Sequence, residues 1–339
     1  MKIVLDAFGG DNAPVEIIEG TLLALEKNKD LTVVLTGDED KIKAVLNGRK
    51  DRIEIIDAKE VISNDDSPTL AIRQKKNSSL VRAFDLLKED ESIVGLISAG
   101  STGAILTGSI MKVGRIKGIS RPALCSILPT LKADKTVMIC DCGANVDCKS
   151  EHLLHFSIMA SAYYSIMGNV ESPKVALLNN GTEEHKGNEL VKETYPLMKT
   201  LPIKFVGNVE AREVMSGDVD VIVTDGFAGN VLLKSVEGTA SAMSKMLKLE
   251  AKKNIFASIG ALMMGKFKGI KAKMDVNKHG GAPFLGCKKL VVKAHGSAKR
   301  EIVCNTIMQV IKLHENRLIE KIENMVSKMT SKIEVENDW

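Results

Sequence analysis

The stretch IVGLISAGSTGAILTGSIMKVG, residues 93–114, passes from an apolar run through a glycine-rich turn into a helical pattern. Ile93 to Ser98 reads as apolar on both faces, as a strand buried between helical layers should be. Ser98, Gly100, Ser101, Thr102 and Gly103 then bring hydroxyls and approachable backbone N–H groups to a helix start, a combination suited to an anion. The turn is neither a G-x-x-x-x-G-K-[ST] loop nor a G-x-G-x-x-G fingerprint, so it does not imply a nucleotide. Viewed alone, it also fits a plain strand-to-helix turn with a serine cap.

Working outward, similar apolar runs occupy 2–7, 31–37, 53–57, 123–129, 136–141, 174–179, 203–207, 219–225 and 289–294, separated for the most part by longer helical patterns. This alternation predicts a doubly wound α/β fold, with a largely parallel sheet between helical layers and ligands held beyond the carboxyl ends of its strands. Several run ends repeat the glycine turn. Gly9, Gly10 and Asp11 follow the first, where Pro14 suits an opening helical turn and Asp11 or Asn12 its cap. Asp141 and Asn145 bracket another, and Asp225, Gly226, Phe227, Gly229 and Asn230 form a third. Lys186 sits in the turn after 174–179, at the start of a helix, where its ammonium suits an oxyanion or simply solvent. His295, between Ala294 and Gly296 with Ser297 beyond, is the histidine whose neighbours suggest polar work.

Composition narrows the class. A chain of 339 residues with 44% hydrophobic content can bury a large core, while 4% aromatics and a net charge of +4 argue against a nucleic-acid platform. No apolar window approaches the length of a bilayer span, and Met1 leads directly into the first strand, so a cytoplasmic protein is expected. Six cysteines in a chain of this size read as reduced thiols. Cys140, Cys142 and Cys148 lack paired zinc-site spacing, so no metal is expected, and Cys142 reads as packing. There is no G-x-S-x-G elbow and no H-E-x-x-H helix, which disfavours serine and zinc hydrolysis.

The pattern predicts one large domain over 1–330 with a projecting helical arm inserted at 238–280, two helices parted near Lys252 and Lys253, and a flexible tail at 331–339. A last long helix is expected over about 298–328. Between Lys245 and Met274 eight lysines face one acid, Glu250, around an uncharged segment containing Ile255, Phe256, Ile259, Leu262 and Met263. Basic flanks on a short apolar segment suit an anionic membrane surface; they also suit an acidic protein partner, and the apolar tip suits a dimer mate.

DAFGGDNAP (6–14), SAGSTGA (98–104), RPA (121–123), DCGANVD (141–147), NGTEEHKGNE (180–189), GNVE (207–210), DGFAGNVLLK (225–234), GGAPFLG (280–286) and KAHGS (293–297) occur in order along the chain. This set resembles the acyl-ACP:phosphate acyltransferase family, PlsX, over essentially the whole length. Phe8 stands where the family usually has methionine, and Ser101 where it has asparagine. The resemblance implies transfer of a long-chain fatty acyl group from the thioester of acyl carrier protein to inorganic phosphate, yielding an acyl phosphate for phospholipid synthesis. Phosphate is the nucleophile in that reaction, so no cofactor is implied. By the same resemblance Lys186 and Asn230 belong to the reacting centre, with His295 second to them. Gly9, Gly10, Asp11, the 98–103 turn, Asp141, Asn145, Asp225, Gly226, Phe227, Gly281 and Ser297 would line the substrate and phosphate site. Homodimerisation and peripheral association with the inner face of the cell membrane are also implied. So is delivery of product to a membrane-bound glycerol-3-phosphate acyltransferase. A phosphotransacetylase-like enzyme using coenzyme A thioesters and a non-catalytic membrane adaptor are the competing readings.

Overall fold

Along β1 (Lys2–Asp6) Ile3 and Leu5 enter one buried cluster and Val4 the other, so every second side chain stabilises a different face of the same sheet. The computed structural model describes residues 1–253 and 280–337. The other strands are β2 (Thr32–Gly37), β3 (Ile53–Asp57), β4 (Ile93–Ser98), β5 (Ala123–Pro129), β6 (Thr136–Cys140), β7 (Lys174–Asn179), β8 (Lys204–Glu210), β9 (Val221–Val223), β10 (Ala282–Leu285) and β11 (Leu290–Lys293). Together they form one sheet in the order β3-β2-β1-β4-β11-β10-β5-β6-β9-β7-β8. The α-helices of the described residues are α1 (Val15–Lys27), α2 (Glu39–Leu46), α3 (Pro68–Gln74), α4 (Ser79–Glu89), α5 (Thr102–Gly108), α6 (Ser150–Met167), α7 (Glu189–Met198), α8 (Gly226–Lys253), α9 (Arg300–Glu315) and α10 (Leu318–Asn337). Full burial of each Val, Ile or Leu contributes about 1.5 to 3 kcal/mol, which makes these two apolar clusters the main source of stability.

Two parallel blocks make up most of the sheet. β3, β2, β1, β4 and β11 run together, as do β6, β9, β7 and β8. Between them β10 is antiparallel to both β11 and β5, and β5 is antiparallel to β6, so the two blocks run in opposite directions. The α/β fold expected from the runs is present, and each run contains a strand. β10 is an addition to that expectation, lying within the GGAPFLG stretch, where no strand is expected from the sequence.

Local differences have plain causes. Neither Asp11 nor Asn12 caps α1 with its side chain; the Asn12 amide instead donates to Ser297 O at 3.0 Å and ties the first strand-end turn to the turn after β11. The helix expected over 298–328 is two, α9 and α10, because Arg317 takes a left-handed φ of 51° between them. α10 continues to Asn337, into the stretch read as a tail. α8 begins at Gly226, inside the strand-end turn, ahead of the arm boundary expected at 238. Ile255, Phe256, Ile259, Leu262 and Met263 lie outside the described residues. Among those described, no helix is long and apolar enough to cross a membrane.

Candidate active site

The turns after β1, β4 and β11 adjoin because their strands do. Buried Asp6 closes this cluster: its carboxylate accepts from Ser98 Oγ at 2.7 Å and from the Phe8 N–H at 3.2 Å, and Ser98 Oγ accepts from the Gly100 N–H at 3.0 Å. A Cβ on Gly9 would lie 2.6 Å from Asp6 Oδ2 and 2.7 Å from Gly100 N, so only glycine lets the two turns approach this closely. Gly10 adopts φ +96°, and the Asp11 N–H donates to Gly296 O at 2.8 Å. Burial pushes the Asp6 carboxyl above its ordinary value, against hydrogen bonds from Ser79, Ser98 and Phe8 that favour the ionised form.

A second cluster stands at the ends of β6, β9 and β7. Asp141, fully buried, accepts from the N–H groups of Leu124, Gly143, Ala144 and Asn145 and from the Asn145 amide. Burial raises its carboxyl as well, with those donors pulling the other way. Gly226 N–H donates to Asn145 O at 2.7 Å, and Asp225 Oδ1 accepts from the Ala228 N–H at 2.8 Å, which caps the start of α8. A Cβ on Gly229 would fall 1.9 Å from Asp141 O. This close packing of α8 on the Asp141 turn sets the Asn230 side chain over Gly143, within 3.6 Å of where a Cβ there would stand.

A cavity of about 390 Å³ joins the clusters. Thr102, Lys293 and His295 enter it from the first cluster, Gly143 and Asn230 from the second, and Leu124 and Ser126 from β5 between them. Gly280 and Gly281 form another stretch of wall, pinned by buried Gln309 of α9, which accepts from the Gly281 N–H at 2.8 Å and donates to Gly281 O at 3.0 Å. The Ser297 N–H donates to His295 Nδ1 at 3.3 Å, and Ser297 Oγ lies 2.9 Å from the same nitrogen. A neutral ring bonded in this way carries its proton on Nε2.

Of the residues singled out from sequence, Thr102, Asn230, Gly281 and His295 share this cavity. Gly9, Ser98, Gly100, Asp141 and Asn145 shape the turns beside it, Asp225 serves as a cap, and Phe227 is 63% exposed. Gly10 and Asp11 join the turn after β11 through Gly296, while Gly226 packs on Asn145. Ser101, which precedes α5, makes no side-chain cap there, and Gly103 packs on Pro68. Lys186 is exposed on the turn after β7 and is not among the residues lining the cavity. That turn is nonetheless tied to the neighbouring strand, since the Asn208 amide donates to Glu183 O at 2.9 Å.

Two residues stand out for other reasons. Cys142 lines the cavity, but its thiol lies against Leu124 O at 3.1 Å; burial, with Asp141 and Cys140 nearby, drives it far above the ordinary thiol range. It is held as a thiol and packs, as the sequence suggested. Lys293 was missed. It ends an otherwise apolar strand, and its Nζ donates to Ala294 O at 2.9 Å and Ala99 O at 3.3 Å. Burial pulls its ammonium down to about 8, against the attraction of Asp11 and Asp6. The available signal was a lysine at the inner end of a buried run, immediately before the Ala-His-Gly-Ser turn.

Residues 1–321 match a family described as "Fatty acid synthesis protein". The chain is 47% identical to a phosphate acyltransferase of Clostridium tetani over 327 residues, covering 95% of this chain and 97% of that one. It is 46% identical to a phosphate acyltransferase of Caldanaerobacter subterraneus over 336 residues, covering 99% of this chain and 100% of that one. Among solved structures, the EutD phosphotransacetylase from Staphylococcus aureus superposes with a TM-score of 0.57 at 19% identity, covering 93% of this chain and 94% of its own. A branched-chain phosphotransacylase from Enterococcus faecalis V583 gives 0.59 at 14% identity, covering 91% and 98%. These two structures share the α/β fold.

Proposed function

Since this chain belongs to the phosphate acyltransferase family, we propose that it moves a long-chain fatty acyl group from the thioester of acyl carrier protein to inorganic phosphate. Acyl transfer to phosphate is the family's chemistry; the carrier-bound donor and the use of the product in phospholipid synthesis are the further steps of this reading. The observation that carries it is the cavity in which Thr102, Lys293 and His295 meet Asn230 and Gly143 from the opposite block of the sheet. One set of groups suits an anion, and the other suits the carbonyl of an acyl group.

In this reading a phosphate oxygen attacks the thioester carbonyl, a C–O bond forms, and the C–S bond breaks. The departing thiolate takes up the proton that the attacking hydrogen phosphate carried in, leaving an acyl phosphate and the free carrier thiol. Asn230 donates from its amide to the oxygen that becomes negative in the tetrahedral intermediate, and Lys186 brings a cation from the turn after β7. His295 offers Nε2–H to a substrate oxygen. The chain's own groups supply binding and charge stabilisation, consistent with a buried, protonated Cys142 that leaves nucleophilic attack to phosphate.

The basic segment from Lys245 to Met274 is assigned to contact with an anionic membrane surface, where the acyl phosphate passes to a membrane-bound glycerol-3-phosphate acyltransferase. On this reading the enzyme is a cytoplasmic homodimer, peripherally bound.

The test is incubation with palmitoyl acyl carrier protein and phosphate, trapping product as the acyl hydroxamate, beside acetyl-coenzyme A as donor. Hydroxamate from the carrier thioester is expected. Product from acetyl-coenzyme A alone would replace the carrier-dependent reading, and product from neither would end both. Lys186→Ala and Asn230→Ala should each lower kcat by roughly 100 to 1000-fold while leaving the thermal midpoint nearly unchanged. Near-normal turnover in either removes that residue from the reacting centre.

A further inference from the structure

We propose that Lys293 Nζ is the group that seats inorganic phosphate at the β11 end of the cavity, where the side chain is pre-positioned by the carbonyls of Ala99 and Ala294. This assignment rests on the acyl transfer reading above. Lys293 is the last residue of β11, which lies between β4 and β10 in the sheet, and it shares the cavity wall with Thr102 and His295. An ammonium has three N–H donors, and two are taken by carbonyls that fix the head group without neutralising it. The third remains for a ligand oxygen.

Asp6 and Asp11 act on Lys293 only through space, and the Asp6 carboxylate is already turned to Ser98 and Phe8. A half-buried ammonium with no carboxylate bonded to it is costly, and the depressed pKa reports that cost. A phosphate dianion would remove it through a charge-assisted hydrogen bond of a kind no described neighbour supplies. Lys186 is exposed and Lys234, on α8, reaches the opposite wall, so neither takes this position.

A purely structural lysine would staple the turn after β4 to the turn after β11 and do nothing more. The two roles separate in steady-state kinetics. Lys293→Met keeps length and removes the charge; it should raise KM for phosphate by roughly 10 to 150-fold, the worth of one hydrogen bond to a charged group, with KM for palmitoyl acyl carrier protein within about twofold of wild type. Lys293→Arg should recover part of the loss. An unchanged KM for phosphate, or both KM values rising together, overturns the proposal.

Should Lys293→Met fail to fold, the wild-type enzyme decides. Reductive methylation of lysines, mapped by peptide mass spectrometry, should show Lys293 protected by inorganic phosphate but not by chloride at equal ionic strength. Equal labelling in both overturns the assignment. Protection reads phosphate binding without turnover, so an enzyme that binds phosphate at Lys293 yet makes no acyl phosphate would refute the acyl transfer reading and leave this site standing. An active enzyme whose Lys293 is unprotected would do the reverse.

Discussion

The two strand-end clusters use the same parts for opposite purposes. Each has a buried aspartate at the end of a strand, a glycine turn and a following helix. Around Asp141 four backbone N–H groups and one amide converge on the carboxylate, and every one belongs to the chain itself. Around Asp6 the bonds come from the Ser79 and Ser98 side chains and the Phe8 and Gly9 backbone, and a cation, Lys293, stands within electrostatic reach. The Asp141 cluster spends its hydrogen-bonding capacity on holding shape, giving α8 and Asn230 a fixed seat. The Asp6 cluster instead sets an ammonium, hydrogen-bonded to carbonyls and to no carboxylate, at the cavity wall. A motif repeated in sequence therefore divides into one cluster closed on its own carboxylate and one that carries a cation at the cavity wall.

The largest effect should come from testing that division directly. Asp141→Ala strands up to five donors, at about 1 to 3 kcal/mol for each one left buried without a partner, against a total stability of only about 5 to 15 kcal/mol. A loss of about 4 kcal/mol or more is expected in urea unfolding, with about 2 kcal/mol for Asp6→Ala. Equal losses would break the comparison.

Glycine substitutions sharpen it at a smaller scale. Gly229→Ala places a methyl 1.9 Å from the Asp141 carbonyl oxygen, which is backbone and cannot rotate away, so α8 must shift. Gly9→Ala meets Asp6 Oδ2, Gly100 N and Ser98 Oγ at 2.6 to 2.8 Å, where side chains can yield in part. Overpacking costs of about 3 and about 1 kcal/mol respectively are expected from thermal midpoints. Activity should respond the other way about at equal stability loss, because Gly9 adjoins the binding surface.

Much of this arrangement is legible in the residues. Ile93 to Ser98 announces a buried strand, and Gly9, Gly100, Gly143 and Gly226 mark where turns approach each other. Strand direction is not legible, because a run such as Ala123–Pro129 has the same alternation whichever way its neighbour runs. Ala282–Leu285 escapes notice since four residues with a proline at the second carry little strand signal; its place comes from pairing with Val292, Lys293, Leu124 and Ala123. The break between α9 and α10 is hidden for a related reason: the apolar stripe continues past Arg317, whose left-handed backbone no pattern of hydrophobicity encodes. Lys293 reads as an ordinary strand-end lysine until the fold closes Ala99 O and Ala294 O around it.

That lysine predicts a pH dependence with a definite sign. Its folded pKa of about 8 lies below the ordinary 10.5, so between these values the unfolded chain binds more protons and stability contributed by this group rises with pH. Phosphate use should move oppositely. As pH passes 8 the ammonium is lost, and kcat/KM for phosphate should fall about tenfold between pH 8 and 9.5 while Lys293→Arg, charged throughout, keeps a flatter limb. Among the described residues, the other charged or titratable groups around this cavity are Asp6 on β1, Asp11 in the next turn, Cys142 after β6, His295 after β11, and Lys234 and Glu237 on α8. A parallel decline in Lys293→Arg would move the titration to one of them.

The smallest effect should be at His295, which lines the cavity but is solvent-exposed and held by Ser297 at Nδ1. A ring whose Nδ1 accepts from the Ser297 N–H has Nε2 left for one ordinary hydrogen bond, about 0.5 to 1.5 kcal/mol, so His295→Gln, which retains an N–H donor, should cost no more than about tenfold in kcat/KM. A group that transferred a proton in the rate-limiting step would cost roughly 100 to 10,000-fold. A loss in that higher range would place acid–base chemistry on the Asp6 side of the cavity and make that cluster more than a seat for charge. A loss within tenfold leaves His295 as a hydrogen-bond donor, in keeping with the proposed reaction, in which binding and charge stabilisation are all that the chain's own groups supply.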